Sequence, residues 1–270
     1  MPPDQPQLGS CDLRACLPSA RMPTTHMPVH IDPKVQALYD AGAHFGYGRG
    51  RRHPSAVPFI FTTKSRSDIF DLDETHRLLE VAKQFIADTA ATGRQVLFVG
   101  GKHEVVRAVR DTALRIQQPY VAGRFIGGTL TNFGEIRKRV ERLQKLSAER
   151  ESGEHEKYTK HERLLLEREM IELETRFGGI TSLETPPAAL VIVDPREEKV
   201  AVREAARLGI PIVAIASSDC DFGAIKYPIP ANDSAIKSVT LLLEDLAESY
   251  RVAYRPLVRN KKPETTEAAE

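Results

Sequence analysis

Glycines, a lysine and an acid stand where apolar runs of this chain stop, the arrangement from which phosphate sites are built. In "VLFVGGKHE" (residues 96–104) two glycines follow a strand-like run and Lys102 precedes a helix-like one. Backbone N–H groups at such a junction attract anions. The spacing matches neither Gly-x-x-x-x-Gly-Lys-Ser/Thr nor Gly-x-Gly-x-x-Gly, so it does not specify a nucleotide site. "LVIVDP" (190–195) ends in Asp194, where nucleotide hydrolases carry a metal-binding aspartate. Without a phosphate loop as partner, Asp194 reads as a turn residue. Ser217 and Ser218 follow another apolar run, but neither lies in Gly-x-Ser-x-Gly, and Cys220 has no histidine partner that sequence identifies. Asp219, Asp221 and Asp233 offer oxygen ligands for Mg2+, and serve equally well as turn and capping residues.

A different chemistry is written in residues 43–66, "AHFGYGRGRRHPSAVPFIFTTKSR". The stretch holds Arg49, Arg51, Arg52, Lys64 and Arg66, two histidines, several aromatics and no acid. A flexible cationic strip of this kind follows a phosphate backbone and releases its counterions, while the aromatics pack or stack on bases. Elsewhere the charge is balanced, with 38 basic and 37 acidic side chains and a formal charge of +1. That contrast favours nucleic-acid contact over a merely solvated loop.

The elements that must position these residues show in the hydrophobic periods. "ETHRLLEVAKQFIADTAATG" sets Leu78, Ala82, Phe85, Ile86 and Thr89 on one helical face and stops at Gly93. Strand "QVLFVGG", helix "HEVVRAVRDTALRIQ" and strand "PYVAGR" follow as one βαβ unit. The alternation resumes with "AALVIVD", "EKVAVREAARLG" and "IPIVAIAS", and closes with a helix from Ser234 to Tyr254 for which Asn232, Asp233 and Ser234 offer caps. These add up to an α/β fold with a doubly wound, mainly parallel sheet. "FIFTTKSRSDIFDL" (59–72) reads as a β-hairpin joined to the sheet edge.

Residues 132–179 interrupt the alternation. Ile136, Val140 and Leu143, then Leu166, Met170, Leu173 and Phe177, make the narrow stripes of two paired helices. Thr159 and Glu162 stand at capping-box spacing, and Gly178 and Gly179 end the second helix. The expectation is an antiparallel α-helical coiled-coil hairpin inserted into a discontinuous α/β domain of residues 31–131 and 180–256.

Residues 1–30 are proline-rich and aperiodic and read as a disordered extension, or as an early start with Met22 or Met27 as the true first residue; residues 257–270 read as a disordered tail, whose Arg259, Lys261 and Lys262 are further candidates for nucleic-acid contact. No apolar run approaches a membrane span or an export signal. Cys11, Cys16 and Cys220 are too few and too scattered for a disulfide framework or a structural zinc site, which points to a reducing compartment such as the cytoplasm.

Taken in order, six blocks resemble the bacterial form of the ribosomal protein S2 family. They are "ALYDAGAHFGYGRGRRHPSAVPFIF", "VLFVGGKHE", "GRFIGGTLTNF", "RFGGI", "AALVIVDPREEKVAVREAARLGIPIVAI" and "IPANDSAIKSVTLLL", covering about residues 33–254. The resemblance implies an α/β domain with an inserted coiled coil and no catalytic activity. It implies a cytoplasmic protein on the ribosome that binds small-subunit ribosomal RNA and supports assembly. Neighbouring ribosomal proteins, including the large messenger-binding one, are its implied partners; no membrane or homo-oligomer is implied, and no cofactor beyond Mg2+ accompanying RNA. Lys102, Arg124 and Asn132 join the five cations of the strip as candidate RNA contacts. In "GRFIGGTLTNF", Gly127 and Gly128 would let backbone approach a phosphate or a packed neighbour, while Thr131 and Asn132 would cap the next helix. Phe125 and Phe133 stand where the family usually has tryptophan, and Tyr47 where it often has histidine. "SSDCD" departs from the family's Thr-Asn-Ser-Asp-Pro turn, so no metal ligands are assigned.

Overall fold

The computed structural model describes residues 32–153 and 157–260, with side chains to residue 254. All of it belongs to a compact unit that begins at Asp32. The expected extension at 1–30, with Cys11 and Cys16, lies outside the described residues, as does the tail beyond 260.

The apolar runs become five parallel strands, β4 (Val96–Gly100), β5 (Tyr120–Ala122), β6 (Ala189–Val193), β7 (Ile212–Ala216) and β8 (Tyr227–Pro230), in the order β5-β4-β6-β7-β8. Strands β4, β6 and β7 are buried along their whole length. That explains why they read as unbroken apolar runs rather than alternating ones. Successive side chains leave by opposite faces. Val96 and Phe98, Val191 and Val193, Val213 and Ile215 meet α2 (Leu72–Ala91), α3 (Val106–Arg115) and α7 (Ile236–Asn260). Leu97 and Val99, Leu190 and Ile192, Ala214 and Ala216 meet α6 (Lys199–Leu208) and the helices α4 (Phe133–Glu151) and α5 (Lys160–Phe177). The sheet is therefore covered on both sides, as a doubly wound fold requires.

Strand β8 has no counterpart in the sequence reading, because Pro228 and Pro230 lie inside it. Proline is compatible with a strand at a sheet edge, and β8 is the edge strand. Helix α1 (Pro33–Asp40) was likewise unforeseen; Asp32 caps it and Pro33 opens it. In α2 the buried face runs through Thr75, Leu79, Ala82, Ile86 and Thr89, so Leu79 and not Leu78 points inward. Helix α7 extends to Asn260, past the expected boundary at 256.

The hairpin at 59–72 does not join the large sheet. Its strands β2 (Ile60–Lys64) and β3 (Ser67–Phe70) pair with each other, and β3 pairs with β1 (Phe45–Gly48), in a separate antiparallel sheet of order β1-β3-β2. The edges of the large sheet are β8 on one side and β5 on the other, and the hairpin pairs with neither.

Helices α4 and α5 pack on each other through Ile136, Val140, Leu143 and Leu146 on one side and Met170, Leu173 and Phe177 on the other. Arg142 donates twice to the Glu169 carboxylate, at 3.1 Å each. The capping box forms as the spacing predicts: the Glu162 amide donates to Thr159 Oγ1, and the Thr159 amide to the Glu162 carboxylate. Gly179 lies so close to β5 that a Cβ there would sit 2.2 Å from the Tyr120 carbonyl oxygen, which fixes the foot of α5.

Candidate nucleic-acid interface

The cationic strip folds into the small sheet and the single-turn 3-10 helix that follows β1. Lys64 pairs with Ser67 across a two-residue turn, Ser65-Arg66, in which both residues have positive φ, 53° and 68°. Such turns match the twist of a hairpin but favour glycine and asparagine. A serine and an arginine in the left-handed region are held there by the strands around them, and they present Arg66 at the tip. Arg49 and Arg51 occupy the 3-10 turn, and the Arg49 amide donates to the Arg66 carbonyl at 3.2 Å. Tyr47, Gly48, Arg49, Gly50, Arg51 and Arg66 line an open cavity of about 420 Å3. Arg51 lies over the Tyr47 ring, 5.8 Å from its centroid. Arg49, Arg51, Lys64 and Arg66 are exposed, and none has a carboxylate within ion-pair distance among the described residues.

This sheet is fastened to the carboxyl ends of β7 and β8. The Tyr47 amide donates to Ser218 Oγ at 3.0 Å, the His53 amide to the Ser218 carbonyl at 2.8 Å, and Tyr47 Oη lies 2.9 Å from Ser234 Oγ.

Two of the expected RNA contacts are engaged internally. Arg52 turns toward Asp68, which is fully buried, and holds both carboxylate oxygens while also donating to Thr63 at 2.8 Å. The bidentate bond to Arg52 keeps the Asp68 carboxyl below its ordinary range, against the opposing effect of burial. The strip thus has its one neutralising acid two residues beyond the stretch that looked acid-free. Lys102 is similarly occupied. Its ammonium reaches Tyr47 Oη at 3.0 Å, Asp194 at 3.1 Å, Asp233 at 3.0 Å and Ser234 at 3.1 Å. Burial alone would lower its pKa, but the bond with Tyr47 and the two carboxylates hold it well above the ordinary value. Burial also presses on both acids. Lys102 and the backbone N–H of Glu197 keep Asp194 low, whereas the negative charge of Asp194 adds to burial in pushing Asp233 up.

Both glycine turns grip a carboxylate of the protein itself. The amides of Gly128, Leu130 and Thr131 all donate to the buried Glu204 of α6, the last two at 3.0 and 3.2 Å. Gly128 adopts φ +92°, which a side chain would resist. A Cβ on Gly101 would come within 2.3 Å of Glu198 Oε1 and 2.8 Å of the Gly123 carbonyl. Burial lifts the Glu198 carboxyl to about 7, assisted by the charges of Glu197 and Asp194 and opposed by the Gly101 amide. This second turn lies between β4 and β6, where the strand order reverses and open α/β sheets bind nucleotides. Here acids occupy the places a phosphate would need.

Arg124 is exposed beyond β5, three strands from β7, and is not gathered with the strip. Asn132 takes the N-cap position of α4 without a side-chain hydrogen bond; its carbonyl accepts from Glu135 and Ile136 instead, so Thr131 and Asn132 do not cap as expected. For the third helix-start expectation, Asn232 does the work, accepting from the Ser234 and Ala235 amides.

The candidate nucleophiles and ligands are buried or engaged by other groups. Burial drives the Cys220 thiol pKa far up, with Asp194 and Asp219 adding to the effect. Ser217 and Ser218 are buried, and the Ser55 hydroxyl meets His53 through the same Nδ1 that faces Asp221, which is not a relay geometry. Asp219 binds Arg196, Asp221 caps a turn through the Gly223 amide, and Asp233 holds Lys102. Among the described residues no group of three or more His, Cys, Asp and Glu side chains is placed to hold a metal, and no helix is long and apolar enough to cross a membrane.

Sequence reasoning passed over Glu204 and Glu198. A signal existed for the first: Glu204 shares a helical face with Ala201 and Ala205, both fully buried, so it had to point into the core. No comparable signal marks Glu198.

Fold and site together define a doubly wound α/β protein whose sheet crevice is filled by its own ion pairs and whose appended sheet carries four exposed cations without a carboxylate at ion-pair distance among the described residues. Comparison with known proteins makes this specific. The family model described as Ribosomal protein S2 matches residues 38–253. A protein of Roseiflexus sp. (strain RS-1) named Small ribosomal subunit protein uS2 is 43% identical over 215 residues, covering 80% of this chain and 82% of its own. Proteins of the same name from Roseiflexus castenholzii and Nocardia farcinica are 44% and 41% identical over 80% of this chain, covering 82% and 75% of theirs. The chain belongs to the ribosomal protein S2 family. It is a structural, non-enzymatic constituent of the small ribosomal subunit, located on the ribosome in the cytoplasm.

Proposed function

We propose that the protein binds small-subunit ribosomal RNA through the appended sheet, and by doing so supports subunit assembly and translation. One observation carries this reading: Arg49, Arg51, Lys64 and Arg66 remain exposed and unpaired, while Arg52 and Lys102 are neutralised by buried acids. Cations left without carboxylates on a protein of balanced charge gain most from a polyanion, because each phosphate contact releases counterions. Mg2+ enters this reading only as an ion accompanying RNA.

Phe45 of β1 and Phe61 of β2 are exposed at 50 and 76%, as are Val57 just before β2 and Tyr39 of α1, at 52 and 56%. Apolar side chains beside the cations suit a protein neighbour at the RNA margin, and we assign to them the docking of adjacent ribosomal proteins, including the large messenger-binding one. Helices α4 and α5 act in this reading as a coiled-coil hairpin inserted in a discontinuous α/β domain, and the protein works as a single copy.

The test is a triple variant, Arg49→Ala, Arg51→Ala and Arg66→Ala, added to small subunits stripped of this protein and assayed by co-sedimentation across a salt series. The expected result is weaker association with a salt dependence shallower by about 0.7 to 0.9 per lost phosphate contact. Association equal to wild type at every salt concentration would remove the assignment.

A further inference from the structure

At the opposite end of the sheet's carboxyl rim, Arg124, which stands apart from the cationic strip, shares a cavity with two further arginines. Arg110 of α3, Arg124 beyond β5 and Arg176 of α5 line one cavity of about 450 Å3. Arg110 and Arg124 are exposed and have no carboxylate within ion-pair distance among the described residues. Arg176 pairs with Glu172 at 2.8 Å, but both side chains are more than half exposed, at 58 and 60%, so that pair holds it weakly. The cavity lining itself contains one carboxylate, Glu174. Three arginines from three elements therefore line one space against a single carboxylate, an excess of positive charge. The contact of Gly179 with Tyr120 sets α5 against β5 and hence fixes Arg176 relative to Arg124.

We propose that this cavity is a second phosphate-binding site that takes a backbone phosphate of RNA, an inference that rests on the RNA-binding reading above. Guanidinium forks suit phosphate oxygens, which they bind in pairs. Strand order places the cavity three strands from β7, to which the appended sheet is fastened. At about 4.8 Å per strand that is roughly 14 Å, a span one folded RNA bridges easily. A carboxylate of a neighbouring protein is the competing ligand, and the experiment separates the two.

The double variant Arg110→Ala/Arg124→Ala is compared with wild type and with the triple variant of the appended sheet, all on stripped small subunits. A photo-crosslinking amino acid replaces Thr175, which lines the cavity. The site predicts a crosslink to RNA and a salt slope reduced by about 0.7 to 1.8, one or two phosphate contacts, in addition to the loss in the triple variant. A crosslink to protein alone, or a slope equal to wild type, overturns it. If the triple variant still loses association in that case, RNA binding by the appended sheet stands and only this site falls. If wild type shows no RNA contact at either place, both fall.

Discussion

Replacing Glu204 with alanine tests the idea that a glycine turn holds an internal carboxylate. Three backbone donors, on Gly128, Leu130 and Thr131, converge on that side chain. Glu204→Ala leaves all three without their acceptor. A stranded buried donor costs about 1–3 kcal/mol. The Leu130 amide is buried, while Gly128 and Thr131 lie where water reaches. One full penalty and two partial ones give a loss of about 3–5 kcal/mol. Glu204→Gln keeps one acceptor oxygen for the Leu130 and Thr131 amides but turns its NH2 toward the Gly128 amide, so it loses about 1–3 kcal/mol, less than alanine. Urea unfolding measures both, with an unchanged slope as the sign that the unfolded state is unaltered. Amide hydrogen exchange at Leu130 accelerates in the alanine variant ahead of exchange in β4 and β6. An alanine variant within 1 kcal/mol of wild type, with Leu130 still protected, would show that the cradle does not depend on Glu204.

Two more measurements follow from other buried charges. Arg52→Ala strands the fully buried Asp68 and is expected to lower stability by about 3–5 kcal/mol, with partial recovery when Asp68→Asn is added; an Arg52→Ala protein as stable as wild type refutes the pairing. The folded Glu198 carboxyl keeps its proton to about 7, whereas unfolding returns it to an ordinary 4.5. Its contribution is therefore complete below about 4.5 and disappears as pH rises through 7. Glu198→Gln, an uncharged mimic, matches wild type near pH 4.5 and exceeds it at pH 8 by roughly 2 kcal/mol, the shift discounted for the solvent that reaches the group. Parallel stability profiles for the two proteins from pH 4.5 to 8 rule this out.

The sheet was legible because its strands are buried on both faces and so carry an uninterrupted apolar signal, as in "LVIV" and "IVAIA". Strand β8 was not, since its two prolines argue locally against any strand and only the edge position, a tertiary fact, reconciles them. The cationic strip was found by composition, but composition cannot tell Arg51 from Arg52. One lies over a tyrosine at the surface and the other is drawn to Asp68, a distinction made by strand pairing across the hairpin turn. Lys102 was noticed for the right reason, its place after a glycine pair at a strand end. Its ligands, however, are carboxylates from residues 194 and 233, which no local pattern connects to it. The glycine turn of residues 123–133 indicated a close approach of backbone to a phosphate or a packed neighbour, and what it meets is the Glu204 carboxylate. That the anion comes from α6 follows only from the packing of that helix beneath the turn.

The bonds from Tyr47 and His53 to Ser218, and from Tyr47 to Ser234, have a consequence for the order of biosynthesis. Tyr47 leaves the translating ribosome early, yet the partners that orient its sheet, Ser218 and Ser234, are made 171 and 187 residues later. The basic surface is therefore organised only once β7 and the start of α7 have joined the core, and products cut short before Ser218 lack the clasp that presents it.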